Sequence, residues 1–340
     1  MITGHGDDAY LYEDIRMDFS SNIYSHADLS ELKAYLCGRL DVIGHYPEPE
    51  AATLERAIAE QRNVATECVV VTNGATDAIY LVAQAIGNYL PDSRRCEEKL
   101  CFKIKHPTFS EYGDACRVFG MKETEESGLH TSIWLCNPNN PTGEVTETAE
   151  VLRMAHEDAL VVVDQSYEDY TIERMISPSE AIAAGNIIQI FSLTKTFAVP
   201  GLRIGYVIAS PKWAKRIRRS LRPWSVNALA VEAGLWLIRH QKKAVTDMDA
   251  YLAEAQRLRT NLLAIEGMEV LPTKTHFMLC RMSGMPAREL KERLVCKHHI
   301  LIRDASNFEG LDEYCFRIAA QTPEEDDCLV DALRSCIHKV

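Results

Sequence analysis

Apolar positions along the chain follow two rhythms. Short runs rich in β-branched residues, CVVVT (68–72), LCFKI (100–104), TSIWLC (131–136), ALVVVD (159–164), IIQIF (187–191) and RIGYVIA (203–209), alternate with helix-length amphipathic segments. Such an alternation predicts an α/β fold in which a mostly parallel sheet is sandwiched by helices. The sheet core spans roughly 46–209. After Pro223 the period lengthens to that of a helix, with Leu229, Ala233, Trp236 and Leu237 on one stripe. Three later strand candidates, MEVL (268–271), THFMLC (275–280) and YCFRIA (314–319), predict a smaller α+β domain. The expected division is an N-terminal segment, 1–45, packing on the small domain; a large domain, 46–225; and a linking helix with the small domain, 226–340. No internal repeat or low-complexity tract interrupts this pattern.

Composition narrows the function classes. The chain of 340 residues is long enough for one large domain or two with separate cores, and 46% hydrophobic with 25% charged residues is ordinary for a globular protein. A net charge of −12 repels nucleic acid and anionic membrane, so neither is an expected partner. The start, MITGHGDDAY, lacks the basic then apolar pattern of a signal peptide, and no run of about 18 apolar residues occurs. A cytoplasmic protein is expected. The 11 cysteines show no C-x-x-C spacing, so neither a disulfide framework nor a metal site is expected; Cys136 and Cys280 read as small buried hydrophobes.

The candidate chemistry gathers at strand ends. A G-x-G-x-x-G fingerprint and a Walker loop are both absent, which weakens dinucleotide and nucleoside-triphosphate readings. In CVVVTNGATDAIYLVAQAI, however, Gly74, Ala75 and Thr76 fall where a strand gives way to a helix, a place that suits a phosphate and equally suits plain packing. In FSLTKTFAVPGLRIGY, Lys195 follows a strand at its carboxyl end, where open α/β sheets bind ligands. A lysine desolvated there can attack a carbonyl to form a Schiff base; a surface-loop lysine is the plain alternative. Ser192 and Thr194 add hydroxyls, and Arg203 a bidentate fork. LVVVDQSYEDY ends its strand at Asp164, with Tyr167 three residues on. A buried acid needs a cationic partner, and a pyridinium nitrogen is one, although an acid at a strand end also caps helices. WLCNPNNPTGEV has two Asn-Pro steps before Thr-Gly, a rigid turn open to cis peptides that fixes Asn140.

Together and in this order, NPTG, D-x-x-Y, S-x-x-K and the arginine eight residues beyond the lysine resemble the fold-type I pyridoxal-phosphate enzymes of the class I/II aminotransferase family. The resemblance spans nearly the whole chain and implies a seven-stranded sheet and pyridoxal 5'-phosphate as cofactor. It assigns Lys195 the Schiff base and proton transfer at the substrate α-carbon, and Asp164 the pyridine N–H. Tyr167 and Asn140 are implied on the ring's 3'-oxygen, and Phe109, in HPTFSEY, on the ring face. Ala75, Thr76, Ser192 and Arg203 are implied to hold the cofactor phosphate, with Gly74 and Thr194 also implied in cofactor binding. Tyr46, in GHYPEPE, matches a tyrosine that reaches the neighbouring subunit's cofactor, which implies a symmetric homodimer with shared active sites. Arg317, in CFRIAAQTPEED, matches the arginine that grips the substrate α-carboxylate.

Within the family, HYPEPE, PTFSEY and RIAAQTPEED are most similar to the histidinol-phosphate aminotransferase branch, to which threonine-phosphate decarboxylases belong. GHGDDAY with MDFSSNIY, and ILIRDASNFEGLDEYCFRIA, resemble the HGG, DFSxN and IRDCSNF-x-GLD segments of the latter. A phosphorylated amino-acid substrate is thereby implied, with His5, Asn22 and Arg303 as candidates for its phosphate or carboxylate. The chain departs from that pattern at Asp7, Ala305 and Gln321, the last standing where an arginine is usual. The expected activity is decarboxylation of L-threonine O-3-phosphate, as in cobalamin side-chain synthesis; the alternative is a histidinol-phosphate or aromatic amino-acid aminotransferase. A ligand-sensing regulator on the same fold would carry a basic DNA-binding region, which this acidic chain does not show.

Overall fold

The computed structural model describes residues 8–89, 100–126, 131–156 and 159–337. The first strand, β1 (Met17–Asp18), belongs to an N-terminal strap that returns below. The next seven form one sheet: β2 (Val69–Thr72), β3 (Cys101–Ile104), β4 (Lys122–Glu123), β5 (Thr131–Cys136), β6 (Leu160–Asp164), β7 (Ile187–Ser192) and β8 (Gly205–Ala209). Their spatial order is β2-β8-β7-β6-β5-β3-β4. All pairs are parallel except the two made by β8, which runs antiparallel to β2 and β7.

The continuous apolar runs have a direct cause: both faces of the sheet are covered. Val70 and Val162 point into one cluster with Ala78, Val82 and Ile217 of the helices Gly74–Tyr89 and Pro211–Arg218. Their neighbours face the other way, Val69 and Val71 toward Leu54, Ile58 and Leu237, and Val161 and Val163 toward Val151 and Ala181. Period-two alternation thus persists inside runs that read as uniformly apolar.

A smaller sheet holds β9 (Met268–Val270), β10 (Phe277–Met282), β12 (Arg303–Asp304) and β13 (Cys315–Ala319), in the order β12-β13-β10-β9 and antiparallel throughout. The short β11 (Ile300–Leu301) pairs in parallel with β1 instead. Leu258, Leu262, Leu290, Leu294, Leu329 and Leu333, from the helices Met248–Leu263, Ala287–His298 and Pro323–Ile337, are fully buried in its core.

Several boundaries differ from the sequence reading. Arg203 lies outside the strand expected over 203–209: its backbone is left-handed, with φ of 53°, and β8 starts at Gly205. THFMLC shifts to Phe277–Met282 because the Thr273 and Thr275 hydroxyls donate to the Phe277 carbonyl at 2.6 and 3.1 Å, an arrangement that competes with the ladder. The helical stretch after Pro223 is two helices, Ala228–His240 and Met248–Leu263. Left-handed Gln241 ends the first, and the Asp247 carboxylate caps the second by accepting from Ala250 N at 2.9 Å. The N-terminal segment divides its contacts. Residues 17–25 join β11, Ala319 at the end of β13 and Gln321, whereas Leu32 of the helix Ser30–Cys37 packs in the cluster of the helix Ala228–His240. No helix among the described residues is long and apolar enough to cross a membrane.

Candidate active site

Strand register sets the site. Cys136 is opposite Asp164, Asp164 opposite Ile190, and Gly205 lies between Ser192 and Thr72, so the carboxyl ends of β5, β6 and β7 open on one edge. A cavity of about 370 Å³ occupies that edge. It is small-molecule sized.

At the cavity floor, Asp164 is buried but well bonded. Its Oδ1 accepts from Ser166 N at 2.9 Å and Ser166 Oγ at 2.5 Å, and its Oδ2 accepts from the Tyr112 hydroxyl at 2.8 Å. Burial raises the carboxyl above its ordinary range, while those bonds and the nearby Lys195 charge act in the opposite direction. Lys195 sits in the turn after β7, which Tyr170 braces by donating to the Lys195 carbonyl at 2.8 Å. Its Nζ lies 5.8 Å from the centre of the Tyr167 ring. Tyr167 is buried, edge-on to Phe277, and its phenol is pushed well up by burial. Phe109 flanks the cavity, edge-on to Tyr112.

One end of the cavity is made for an anion. Ala75 and Thr76 open the 16-residue helix Gly74–Tyr89, whose first N–H groups and dipole attract negative charge. Ser192 Oγ and Thr194 Oγ1, 2.6 Å apart, and Arg203 line the same end. Gly74 explains itself here: φ is +85°, and an added Cβ would stand 2.7 Å from Arg203 Nη2.

The opposite end is built from the smaller sheet and the strap. Arg303 and Arg317 face each other across β12 and β13, are only 7% and 5% exposed, and both line the cavity. Arg317 Nη1 donates to Asn140 Oδ1 at 2.5 Å and Nη2 to the Ser20 carbonyl, while Nε is buried without a partner. Burial lowers Arg317 to about 10, and also lowers Arg303, whose Nη2 donates to Asn307 Oδ1 at 2.9 Å. The Asn22 side chain is buried beside Tyr167 with neither polar atom in a hydrogen bond of ordinary geometry. The peptides before Pro138 and Pro141 are cis, and the turn between them presents Asn140 to the cavity.

The structure therefore gathers the expected residues from Asn22 to Arg317 around one cavity, with three exceptions. Gly74 stands against Arg203 without lining the cavity. His5 lies outside the described residues. Tyr46 does not line this cavity: it is 84% exposed, with its ring 5.2 Å from that of Trp224. Sequence reasoning missed Tyr112, Ser166 and the strap residues Ser20, Ser21 and Ile23. Ser166 had a usable signal, since a serine two residues after an aspartate is a common carboxylate partner. Outside the cavity, His106, Glu123 and Glu309 gather within 4.8 Å, but Arg117 Nη2 is 2.6 Å from Glu123, which makes the group an ion-pair network.

The fold that carries this cavity agrees with comparison to known proteins. The family model "Aminotransferase class I and II" matches residues 121–333, and the chain belongs to that family. It is similar to the crystal structure of L-threonine-O-3-phosphate decarboxylase from Porphyromonas gingivalis, at 34% identity and a TM-score of 0.89, covering 95% of this chain and 100% of that one. It is 28% identical to threonine-phosphate decarboxylase of Salmonella typhimurium, over 94% of this chain and 91% of that protein. It is also 28% identical to histidinol-phosphate aminotransferase of Aquifex aeolicus, over 95% and 90%.

Proposed function

We propose that the chain is a pyridoxal-phosphate enzyme that decarboxylates O-phospho-L-threonine. The observation that carries this reading is the pair Arg303 and Arg317, two buried guanidinium groups at directly opposed positions in the cavity that also holds Lys195 and Asp164. Like charges so placed repel, and burial adds to the cost. A substrate bearing one carboxylate and one phosphate relieves both terms.

The residues present fit the cofactor. Its phosphate matches the end made by Ala75, Thr76, Ser192, Thr194 and Arg203, and its ring nitrogen matches Asp164, a buried carboxylate suited to a cationic partner. Bound there, pyridoxal phosphate supplies an electron sink for the pair left at the substrate α-carbon. The protein does the rest. Hydrogen bonds from Ser166 and Tyr112 favour the ionised form of Asp164, which would hold a proton on the ring nitrogen. Tyr167 and Asn140 orient the ring through its oxygen, while Phe109 flanks it. Arg317 and Arg303 each take one substrate anion, which fixes the Cα–carboxylate bond in the direction where it can break. Once carbon dioxide has left, the Lys195 ammonium would deliver a proton to the α-carbon and regain one from water, leaving aminopropanol phosphate.

A second reading, transamination of histidinol phosphate or an aromatic amino acid, draws on the Aquifex aeolicus relative. Mass spectrometry of products from pyridoxal-phosphate-loaded protein with O-phospho-L-threonine separates the two. Aminopropanol phosphate and carbon dioxide formed without any 2-oxo acid are expected. Glutamate formed only with 2-oxoglutarate, and no carbon dioxide, makes it an aminotransferase. Lys195→Ala is expected to abolish turnover while keeping the thermal transition of the parent protein.

The same reading includes a homodimer, supported by a surface where Tyr46, Ile43, Leu40 and Trp224 are all exposed. It includes the division at 45 and 225, supported by two sheets of different topology. A reducing, cytosolic setting is supported by the free thiols of Cys37, Cys296 and Cys328, which are exposed.

A further inference from the structure

The N-terminal strap is a wall of the substrate end, since Ser20, Ser21, Asn22 and Ile23 all line the cavity. Its upstream part is fixed by backbone. Phe19 N donates to the Leu301 carbonyl at 2.9 Å, Ala319 N to the Phe19 carbonyl at 3.0 Å, and Asp18 Oδ1 accepts from Ser20 N and Oγ. A two-residue pairing such as β1 with β11 is too short to order the rest.

The downstream part meets Gln321. This side chain is 2% exposed, and it does not line the cavity. Its Oε1 accepts from Ser25 N at 3.0 Å and Ser25 Oγ at 2.7 Å, and its Nε2 donates to the Ile23 carbonyl at 3.2 Å. Gln321 N in turn donates to Asp326 Oδ1 at 2.9 Å, which ties the contact to the first turn of the helix Pro323–Ile337. An arginine here has no acceptor for Ser25; glutamine offers both an acceptor and a donor to the strap. Tyr24 against Tyr251 and His26 with Glu325 add contacts nearer the surface.

We propose that Gln321 is a positioning residue for substrate binding: it latches the strap at residues 23–25, and the strap, through the Ser20 carbonyl on Arg317, holds the guanidinium that receives a substrate anion. The inference rests on the substrate reading given above. It assigns Gln321 no contact with substrate or cofactor.

Two variants test it, Gln321→Met, which keeps the volume and removes both polar atoms, and Ser25→Ala, which removes one partner on the surface side. In Gln321→Met the KM for O-phospho-L-threonine is expected to rise about five- to thirtyfold, with kcat within about twofold. Cofactor affinity, titrated on the cofactor-free protein, stays unchanged. Hydrogen exchange of the Ser25 amide accelerates about tenfold or more, while amides of β6 and β7 keep their protection. Ser25→Ala is expected to raise KM less, and to add nothing when combined with Gln321→Met. A kcat loss at constant KM, a fall in cofactor affinity, additive KM effects, or unchanged Ser25 exchange each overturns the latch. If the parent protein leaves O-phospho-L-threonine untouched, the substrate reading fails, and the exchange measurement on the unliganded protein still decides the latch. Should Gln321→Met not fold, Ser25→Ala decides it by the same KM and exchange criteria.

Discussion

Asp164 is a buried carboxylate whose proposed role comes at a cost in stability. Its folded carboxyl is raised by burial, so the native protein retains a proton that the unfolded chain has already released. From the ordinary carboxylate range up to that raised value, increasing pH therefore removes stability from the cofactor-free protein. Asp164→Asn is expected to melt above the parent protein at neutral pH without cofactor, and to lose at least about a hundredfold in kcat with it. Tyr112 tunes the same group from behind. Tyr112→Phe deletes the donor to Oδ2, which raises the Asp164 carboxyl further; the acid limb of the kcat–pH profile is expected to move to higher pH and kcat to fall about five- to tenfold. An unmoved acid limb would mean that Asp164 does not titrate in the catalytic cycle.

At the scale of elements, the turns after β2 and β7 form the anion end, and they meet through one contact. Gly74→Ala places a methyl against Arg203 at a left-handed backbone position; the expected result is at least about 1 kcal/mol lost in stability and a cofactor Kd raised about tenfold or more, read by melting and by titration. This part of the site was legible in the sequence because strand ends fall where apolar runs stop, and Gly74, Asp164, Ser192 and Lys195 each follow such a stop. The two-residue strands β1, β4, β11 and β12 were not legible, since two residues cannot display an alternation. Tyr112 was hidden for another reason: it sits on the helix Glu111–Val118, and only the packing of that helix against the sheet reveals its partner on β6. In the sequence Gln321 stands only as a departure from the usual arginine. In the structure its polar atoms are directed to the strap, whose path no local pattern foretold.

At the scale of the molecule, the proposed dimer makes a prediction of its own. If Tyr46 completes the partner's site, mixing inactive Lys195→Ala with a Tyr46→Ala variant under conditions of subunit exchange restores about a quarter of the parent activity, because half the dimers are hybrids with one intact site. No recovery on exchange would place each site within one chain. The strap carries a different consequence, one of timing. Ser25 and its latch Gln321 are 296 residues apart, and β1 likewise waits for β11. At about 5 to 20 residues per second, a ribosome takes roughly 15 to 60 seconds between making the two halves of that contact. Lys195 is translated well before the wall proposed for the substrate end is closed. A nascent chain stalled short of Gln321 has the lysine and the aspartate of the site but not its latch, so closure of the pocket falls among the last events of the protein's birth.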